Sequence, residues 1–476
     1  MTDRYFIGVD VGTSSARAAV CDSRGKLLAS ATAPITIYEP KASYYEQSSE
    51  EIWAKCCQCV RIAVRDSRVP VTDIKGIGFD ATCSLVALDE MLEPVSVSPS
   101  NERQQNVIMW MDHRATAEAQ IMTNTGHAVL RNTGGKISPE MSAAKLLWLH
   151  THNPTSFTHT AHFIELPDFL TAKATGSLRR SVGLEGVVEE KFKRFGGSEP
   201  CLPGESIGVL GEEVKRSMGL EGSGEVAVGG SLIDAYSGAL GTLGVSLHSN
   251  SPASVNSLSN RMAVICGTSS CHIAVAPEQH FVPGVWGPYA SVLLKDFHCA
   301  EGGQSATGKS LDFALSLHPY FPTLQTLASK SNTSIYSYLN NHLQHLAKER
   351  NLPSEAFLTK DLHVSPDFHG NRSPFADPNV RGAIVGLGLD ASLDALATFY
   401  LATIQALVYG TRHIISTLNE NGYKIDTLFL SGGLTKNALF VKTMADGTGC
   451  EVVLPREEDA VLLGSAMLGA AAAGGL

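Results

Sequence analysis

Short apolar runs alternate with longer helical patterns along this chain, and that alternation predicts an α/β fold of sheets covered by helices. Residues 74–79, 226–229 and 427–430 are compact apolar runs of strand length, whereas 142–149 and 393–418 carry the helical period. Two distant stretches share one pattern. Ile7-Gly8-Val9-Asp10-Val11 runs into Gly12-Thr13-Ser14-Ser15 and an alternating apolar segment ending at Val20. Ala263-Val264-Ile265-Cys266 runs into Gly267-Thr268-Ser269-Ser270 and a similar segment ending at Val275. Each reads as a strand, a tight polar turn and a returning strand. Such a repeat predicts two similar domains, each offering one hairpin to a shared cleft. Residues 245–260 (VSLHSNSPASVNSLSN), rich in serine and asparagine and poor in apolar periodicity, read as the crossing between them. The predicted domains are 1–246 and 258–476.

Composition narrows the partner. A chain of 476 residues exceeds what one hydrophobic core usually supports, in keeping with two domains. Its formal net charge of -10, from 37 Lys and Arg against 47 Asp and Glu, lacks the basic footprint that nucleic-acid binding requires. A small-molecule substrate is the better expectation. The opening MTDRYFIGVDVG enters a strand-like segment without the regions of a secretory signal, so a cytoplasmic setting and free thiols are expected for the ten cysteines. Cys56 and Cys59 form a C-x-x-C, but within a helical stretch and without a second ligand pair, which reads as a thiol-rich helix face. Residues 460–476 are uncharged yet rich in alanine and glycine. They fall short of the roughly 20 strongly apolar residues of a membrane span and read as a buried helix.

Candidate chemistry lies at the turns. Glycine followed by Thr-Ser-Ser lets the backbone approach a phosphate closely, with consecutive N–H groups and hydroxyls pointing into one concavity. Leu430-Ser431-Gly432-Gly433 ends a strand on bare backbone and leads into a helix, where a flat ligand can lie. Asp234 follows a short apolar run and opens a small-residue helix; it is either an N-terminal capping group or a carboxylate able to take the proton of an attacking hydroxyl. Asp10, at the end of the first strand, could hold a hard cation through carboxylate oxygen.

In this order the motifs resemble the FGGY family of carbohydrate kinases, within the actin, Hsp70 and sugar-kinase superfamily. The most specific stretch is Phe368-His369-Gly370-Asn371-Arg372-Ser373-Pro374, continuing to Arg381-Gly382, and it is closest to the ribulokinase branch. Trp110-Met111-Asp112-His113-Arg114 and Glu301-Gly302-Gly303-Gln304-Ser305 also match that branch. The resemblance implies two actin/Hsp70-like (ribonuclease H-like) domains flanking a nucleotide and sugar cleft. It implies ATP and Mg2+ as co-reactants, with transfer of the γ-phosphate to a small free sugar such as the ketopentose D-ribulose. By position, Gly12, Thr13, Ser14, Gly267, Thr268 and Ser269 would face the phosphates, and Gly308, Gly433 and Asn437 would seat the nucleotide. Asp234 would be the base and Asp10 the metal residue, with Thr82, Cys83, Asp112 and Glu301 around the sugar. The resemblance carries no membrane partner and is compatible with a homo-oligomer.

One motif points elsewhere. Gly303-Gln304-Ser305-Ala306-Thr307-Gly308-Lys309-Ser310 satisfies the P-loop pattern G-x-x-x-x-G-K-S. Paired Gly-Thr-Ser-Ser hairpins have no part in a P-loop fold, and 385–390 is a glycine-interrupted candidate for the second P-loop strand, so Lys309 is expected to be a surface or cleft-edge residue. Two departures from the ribulokinase branch stand out. After Thr175-Gly176 that branch usually has a strand carrying a substrate-facing lysine beside a tryptophan, whereas here Ser177-Leu178-Arg179-Arg180 follows. Leu476 also comes soon after the last nucleotide-domain helix. They set a second reading beside the first: a family member impaired in catalysis that binds nucleotide or sugar as a regulator.

Overall fold

A computed structural model describes residues 4–176, 201–244 and 258–475. Residues 245–257 of the expected crossing over 245–260, and the position of the expected Lys-Trp strand, lie outside the described residues. Two compact units are present. The first is built from the N-terminal part of the chain with Pro288–Cys299 and the segment from Asp459 onward; the second holds Ala300–Glu458 and the hairpin preceding it.

Strands of the first unit are β1 (Tyr5–Val11), β2 (Ser15–Asp22), β3 (Leu27–Pro34), β4 (Glu46–Gln47), β5 (Ile74–Ala81) and β6 (Leu85–Leu88). They continue with β7 (Val107–Ile108), β8 (His162–Glu165), β9 (Ser206–Val209), β10 (Ala227–Gly229) and β11 (Leu232–Ile233). The main sheet runs β3-β2-β1-β5-β10-β9, with β11 also on β5, and a small sheet runs β4-β7-β6-β8. Strands β1 to β3 are antiparallel neighbours, as the tight turns require, while β5 joins β1 in parallel and β10 joins β5 in parallel. Apolar side chains fill both faces of β1, which is why its sequence is nearly continuously apolar instead of alternating.

The second unit has β12 (Arg261–Cys266), β13 (Ser270–Ala276), β16 (His363–Ser365), β17 (Ala383–Val385), β18 (Thr427–Ser431) and β19 (Glu451–Val453), with residues 286–287 of β14 (Trp286–Ala290) and 300–304 of β15 (His298–Gln304), whose other residues belong to the first unit. Its sheet runs β14-β15-β13-β12-β18-β19, with β12 antiparallel to β13 and parallel to β18. Strands β15-β13-β12-β18-β19 thus repeat the order of β3-β2-β1-β5-β10. The duplication legible in the two hairpins extends to whole sheets. The core helix Leu393–Glu420 opens on a capping Ser392, whose hydroxyl accepts from the Ala395 N–H at 3.3 Å. By length and composition it could cross a membrane, yet 67% of its most apolar window is buried within the protein.

The helix Ala460–Ala472, expected within 258–476 as part of the second domain, packs on the first sheet. Its small residues allow backbone contact. A Cβ placed on Gly8, Gly76 or Gly78 would stand 2.2, 2.0 and 2.0 Å from the carbonyl oxygens of Leu462, Gly469 and Ser465. Strands and helix therefore meet with no side chain between them, a seam that only glycine permits. As expected, this apolar segment is a buried helix, and all ten cysteines are free thiols, with Cys56 and Cys59 buried on the helix Ser49–Ser67.

His272 on β13 is fully buried, with Nε2 at 2.9 Å from the Thr411 hydroxyl. Burial, and then the nearby Arg372 cation, push it down to about 3. A histidine held neutral in the fold but free to charge when unfolded contributes stability above about pH 6.5 and loses it as pH falls toward the folded value. Its share of the loss on going from pH 7.5 to 5 is about 2 kcal/mol. Urea unfolding at the two pH values should show that excess loss in the wild type and not in His272→Gln. Equal losses would contradict the assignment.

Candidate active site

In the first unit three carboxylates converge at the ends of neighbouring strands. Asp10 and Asp80 stand one residue before the ends of β1 and β5, and the two are register partners in the parallel pair. Asp80 also pairs in register with Leu232 of β11, which delivers Asp234 to the first position of the helix Asp234–Leu243. Asp10 and Asp80 are 1% and 0% exposed. Burial, then the neighbouring Asp10 carboxyl, hold Asp80 well above the usual carboxylate range, and Asp234 adds to the effect. Arg17 is the cation of this group. Its Nε donates to Asp10 at 2.7 Å and its Nη1 to Asp459 at 2.7 Å. The Ser465 hydroxyl of the C-terminal helix lies within hydrogen-bonding reach of Asp80 and of the Val9 carbonyl, with one proton of its own to donate. Asp234 is half-buried, with Oδ1 accepting from the Ala235 N–H at 2.7 Å.

Sequence reasoning missed Asp80. The signal was present: Ile77-Gly78-Phe79-Asp80 repeats Ile7-Gly8-Val9-Asp10, and the two tetrapeptides align residue for residue in the sheet.

Both hairpin turns have the expected form. The Gly12 N–H donates to the Ser15 carbonyl at 3.0 Å and the Gly267 N–H to the Ser269 carbonyl at 2.8 Å, leaving Ser14 and Thr268 at exposed tips. The first turn is anchored to its own unit: the Thr13 hydroxyl accepts from the Trp110 indole at 3.1 Å and its carbonyl from Gln47 at 2.9 Å. In the second unit, the N–H groups of Thr307 and Gly308 donate to the carbonyls of Thr268 and Gly267 at 2.8 and 3.1 Å. A Cβ on Gly308 would lie 2.8 Å from the Gly267 oxygen, so glycine is needed for this turn-on-turn packing.

The P-loop match is accounted for by that packing. Lys309 is exposed on the helix Gly308–Leu317, and 385–390 begins at the end of β17, whose one sheet partner among the described residues is β16. Lys309→Ala should leave ATP-dependent turnover within about twofold, as for other surface substitutions. Collapse of turnover in a folded variant would restore the P-loop reading.

Gly433 and Asn437 line a cavity of about 500 Å³ with Tyr336, Asn340 and Lys442. A Cβ on Gly433 would meet nothing within 4 Å, so bare backbone faces open space there. The Asn437 side chain is committed: Nδ2 donates to the Tyr400 hydroxyl at 2.7 Å, and Oδ1 accepts from Asn340 at 2.9 Å and from the Leu439 N–H at 3.2 Å. It caps the helix Ala438–Thr448 and fixes one cavity wall.

Of the expected sugar residues, Thr82 is buried, Cys83 is half-buried and Glu301 lies buried on β15. Asp112 requires a correction. It is fully buried, and its oxygens accept from Arg114 Nε and Nη2 and from the N–H groups of Tyr45 and Arg114, at 2.7 to 3.0 Å. Arg114 also holds Glu46 at 2.8 Å. With its acceptor sites taken, Asp112 orders its own loop and has none left for a sugar hydroxyl.

Comparison with known proteins agrees with this architecture. Residues 5–184 match the N-terminal domain, and residues 262–473 the C-terminal domain, of the FGGY family of carbohydrate kinases. The chain is 48% identical to an FGGY carbohydrate kinase domain-containing protein of Danio rerio, over 98% of this chain and 89% of the relative. It is 38% identical to a D-ribulokinase of Saccharomyces cerevisiae, over 98% of this chain and 72% of the relative. In fold it is similar to a xylulose kinase from Rhodospirillum rubrum, with a TM-score of 0.74, 21% identity and coverage of 98% and 89%. A gluconate kinase from Lactobacillus acidophilus gives a TM-score of 0.76 at 20% identity, covering 99% and 90%. Duplicated sheets, paired hairpin turns and matched domains at both ends lead to one assignment: the chain belongs to the FGGY family of carbohydrate kinases.

Proposed function

We propose that the protein transfers the γ-phosphate of ATP to a free ketopentose, D-ribulose, with Asp234 as general base. The observation that carries this reading is the meeting of Asp10, Asp80 and Asp234 at neighbouring strand ends. Phosphoryl transfer asks a protein for one proton acceptor, a cation site and phosphate-facing donors, and little else. Asp234, more accessible than its two neighbours, takes the proton of the attacking hydroxyl. Asp10, Asp80 and Asp459 crowd around Arg17, and a hard cation held through oxygen would relieve the crowding that raises Asp80. Among the described residues no group of three or more His, Cys, Asp or Glu is arranged to hold a metal alone, in keeping with magnesium that keeps water and phosphate ligands. Bound there, magnesium would neutralise charge developing on the phosphate oxygens.

The Gly12-Thr13-Ser14 and Gly267-Thr268-Ser269 turns supply N–H groups and hydroxyls to phosphate, and Thr82, Cys83 and Glu301 are assigned to the sugar. The nucleotide base is assigned to the cavity beside Gly433, where Tyr336 offers a ring face and Asn340 a polar edge. The choice of D-ribulose is supported by the S. cerevisiae relative that bears that name.

The test is a comparison of D-ribulose, L-ribulose, xylulose, ribitol and glycerol with ATP and magnesium. D-ribulose should lead in kcat/KM by about tenfold or more, the discrimination expected where hydroxyls are recognised by buried polar groups. A higher value for another sugar would retain the kinase and discard D-ribulose.

A further inference from the structure

Beside the Thr82–Ser84 turn lie two buried groups of opposite character whose hydrogen-bonding capacity is unfilled. Lys145, on the helix Ser142–His152, is fully buried. Its ammonium donates to the carbonyls of Met109 at 2.8 Å and Trp110 at 3.3 Å. An ammonium has three N–H groups, and among the described residues the third has no acceptor. Glu165 ends β8, and its Oε1 accepts from the Ser142 hydroxyl. Its Oε2 is buried with no partner among the described residues. Ser142, which holds Glu165, stands three residues before Lys145 on the same helix, so the ammonium and the carboxyl lie along one helix face.

The turn itself is stitched to this pair. The Thr82 N–H donates to the Val11 carbonyl at 2.9 Å, and the Ser84 carbonyl accepts from the Leu166 N–H at 2.9 Å. The Ser84 hydroxyl contacts Thr82 Oγ1 at 3.1 Å and accepts from the Trp110 N–H at 3.2 Å. Leu85 and Glu165 are register partners across β6 and β8. Through Asp168, which accepts from Ser231 at 3.2 Å, the helix following Glu165 is tied to the segment that carries Asp234.

An unfilled donor next to an unfilled acceptor calls for a group that accepts and donates at once, and a hydroxyl does both. We infer that Lys145 and Glu165 together hold one hydroxyl of the sugar, the hydroxyl accepting from Lys145 and donating to Glu165 Oε2. They would do so without the lysine that the ribulokinase branch carries after Gly176. Burial, eased by Ser142 and Lys145, leaves the Glu165 carboxyl at about 7, as expected for a carboxylate short of donors. This inference rests on the proposed sugar kinase activity and adds a specificity pair to it.

The test uses the full chain, with wild type and Glu165→Gln compared on D-ribulose and its 1-, 3- and 4-deoxy analogues. Calorimetric sugar affinity and kcat/KM are read together. Glutamine keeps the shape of the side chain, and a thermal melt confirms folding. For wild type, one analogue should lose about tenfold or more in affinity, the loss expected when a buried polar site is left unpaired. Glu165→Gln should lose a similar factor on D-ribulose and almost nothing further on that analogue, while still discriminating at the other positions. Losses that multiply on every analogue, or a variant indistinguishable from wild type on D-ribulose, would overturn the inference. An ordered water in place of the sugar hydroxyl gives that first contrary pattern. Sugar binding without turnover in the wild type would count against the kinase reading alone, because the affinity comparison still reports on the pair.

Discussion

Asp234→Asn is expected to lower sugar phosphorylation by about 10²- to 10⁴-fold, the usual contribution of a positioned general base. Asparagine keeps the size of the side chain and can still accept from the Ala235 N–H, so the start of the helix Asp234–Leu243 should survive. What it loses is the capacity to take a proton. Nucleotide binding, assigned to the Gly433 cavity of the other unit, should stay near the wild-type value. The measurement is steady-state turnover with calorimetric titration of ATP on the same preparation. A variant that phosphorylates sugar at the wild-type rate would remove Asp234 from the mechanism.

Gly78→Ala is expected to lower stability by about 3 kcal/mol or more, from overpacking and broken hydrogen bonds together. The added Cβ would stand 2.0 Å from the Ser465 carbonyl and 2.9 Å from the Gly469 nitrogen, both backbone atoms that cannot swing aside. The helix Ala460–Ala472 must lift, and the Ser465 hydroxyl then loses Asp80 and the Val9 carbonyl. Such a loss is a large fraction of a typical unfolding free energy of about 5 to 15 kcal/mol. Gly224→Ala is the control, because a Cβ there meets nothing within 4 Å and its backbone needs no positive φ. Urea unfolding of the three proteins decides it. Equal stability for Gly78→Ala would mean that helix and strand are not in backbone contact.

How much of this was legible in the sequence follows the range of the forces involved. The hairpin turns were legible because a strand-turn-strand pattern is local, and its repetition announced the duplicated sheets. Asp234 was placed correctly at the start of a small-residue helix for the same reason. The partner of the C-terminal helix was not legible. Small residues on every side give that helix no apolar stripe to indicate a direction, and its contact depends on glycines more than 380 positions away, at Gly8, Gly76 and Gly78. Asp112 misled because a carboxylate beside a family motif looks like a ligand, whereas Arg114 two residues on takes its oxygens. Lys145 and Glu165 gave no motif, since unfilled hydrogen-bonding capacity exists only once the fold has buried them.

Phosphate transfer itself tests the central claim most directly. Wild-type protein, magnesium and ATP labelled at the γ-phosphate are incubated with D-ribulose, and the products are separated and weighed by mass spectrometry. The account predicts label in a ketopentose monophosphate, one molecule formed for each ADP released, with no transfer when sugar is omitted. ATP bound without ADP formation on any sugar of the panel would contradict it and leave the reading of a nucleotide- or sugar-binding regulator in its place.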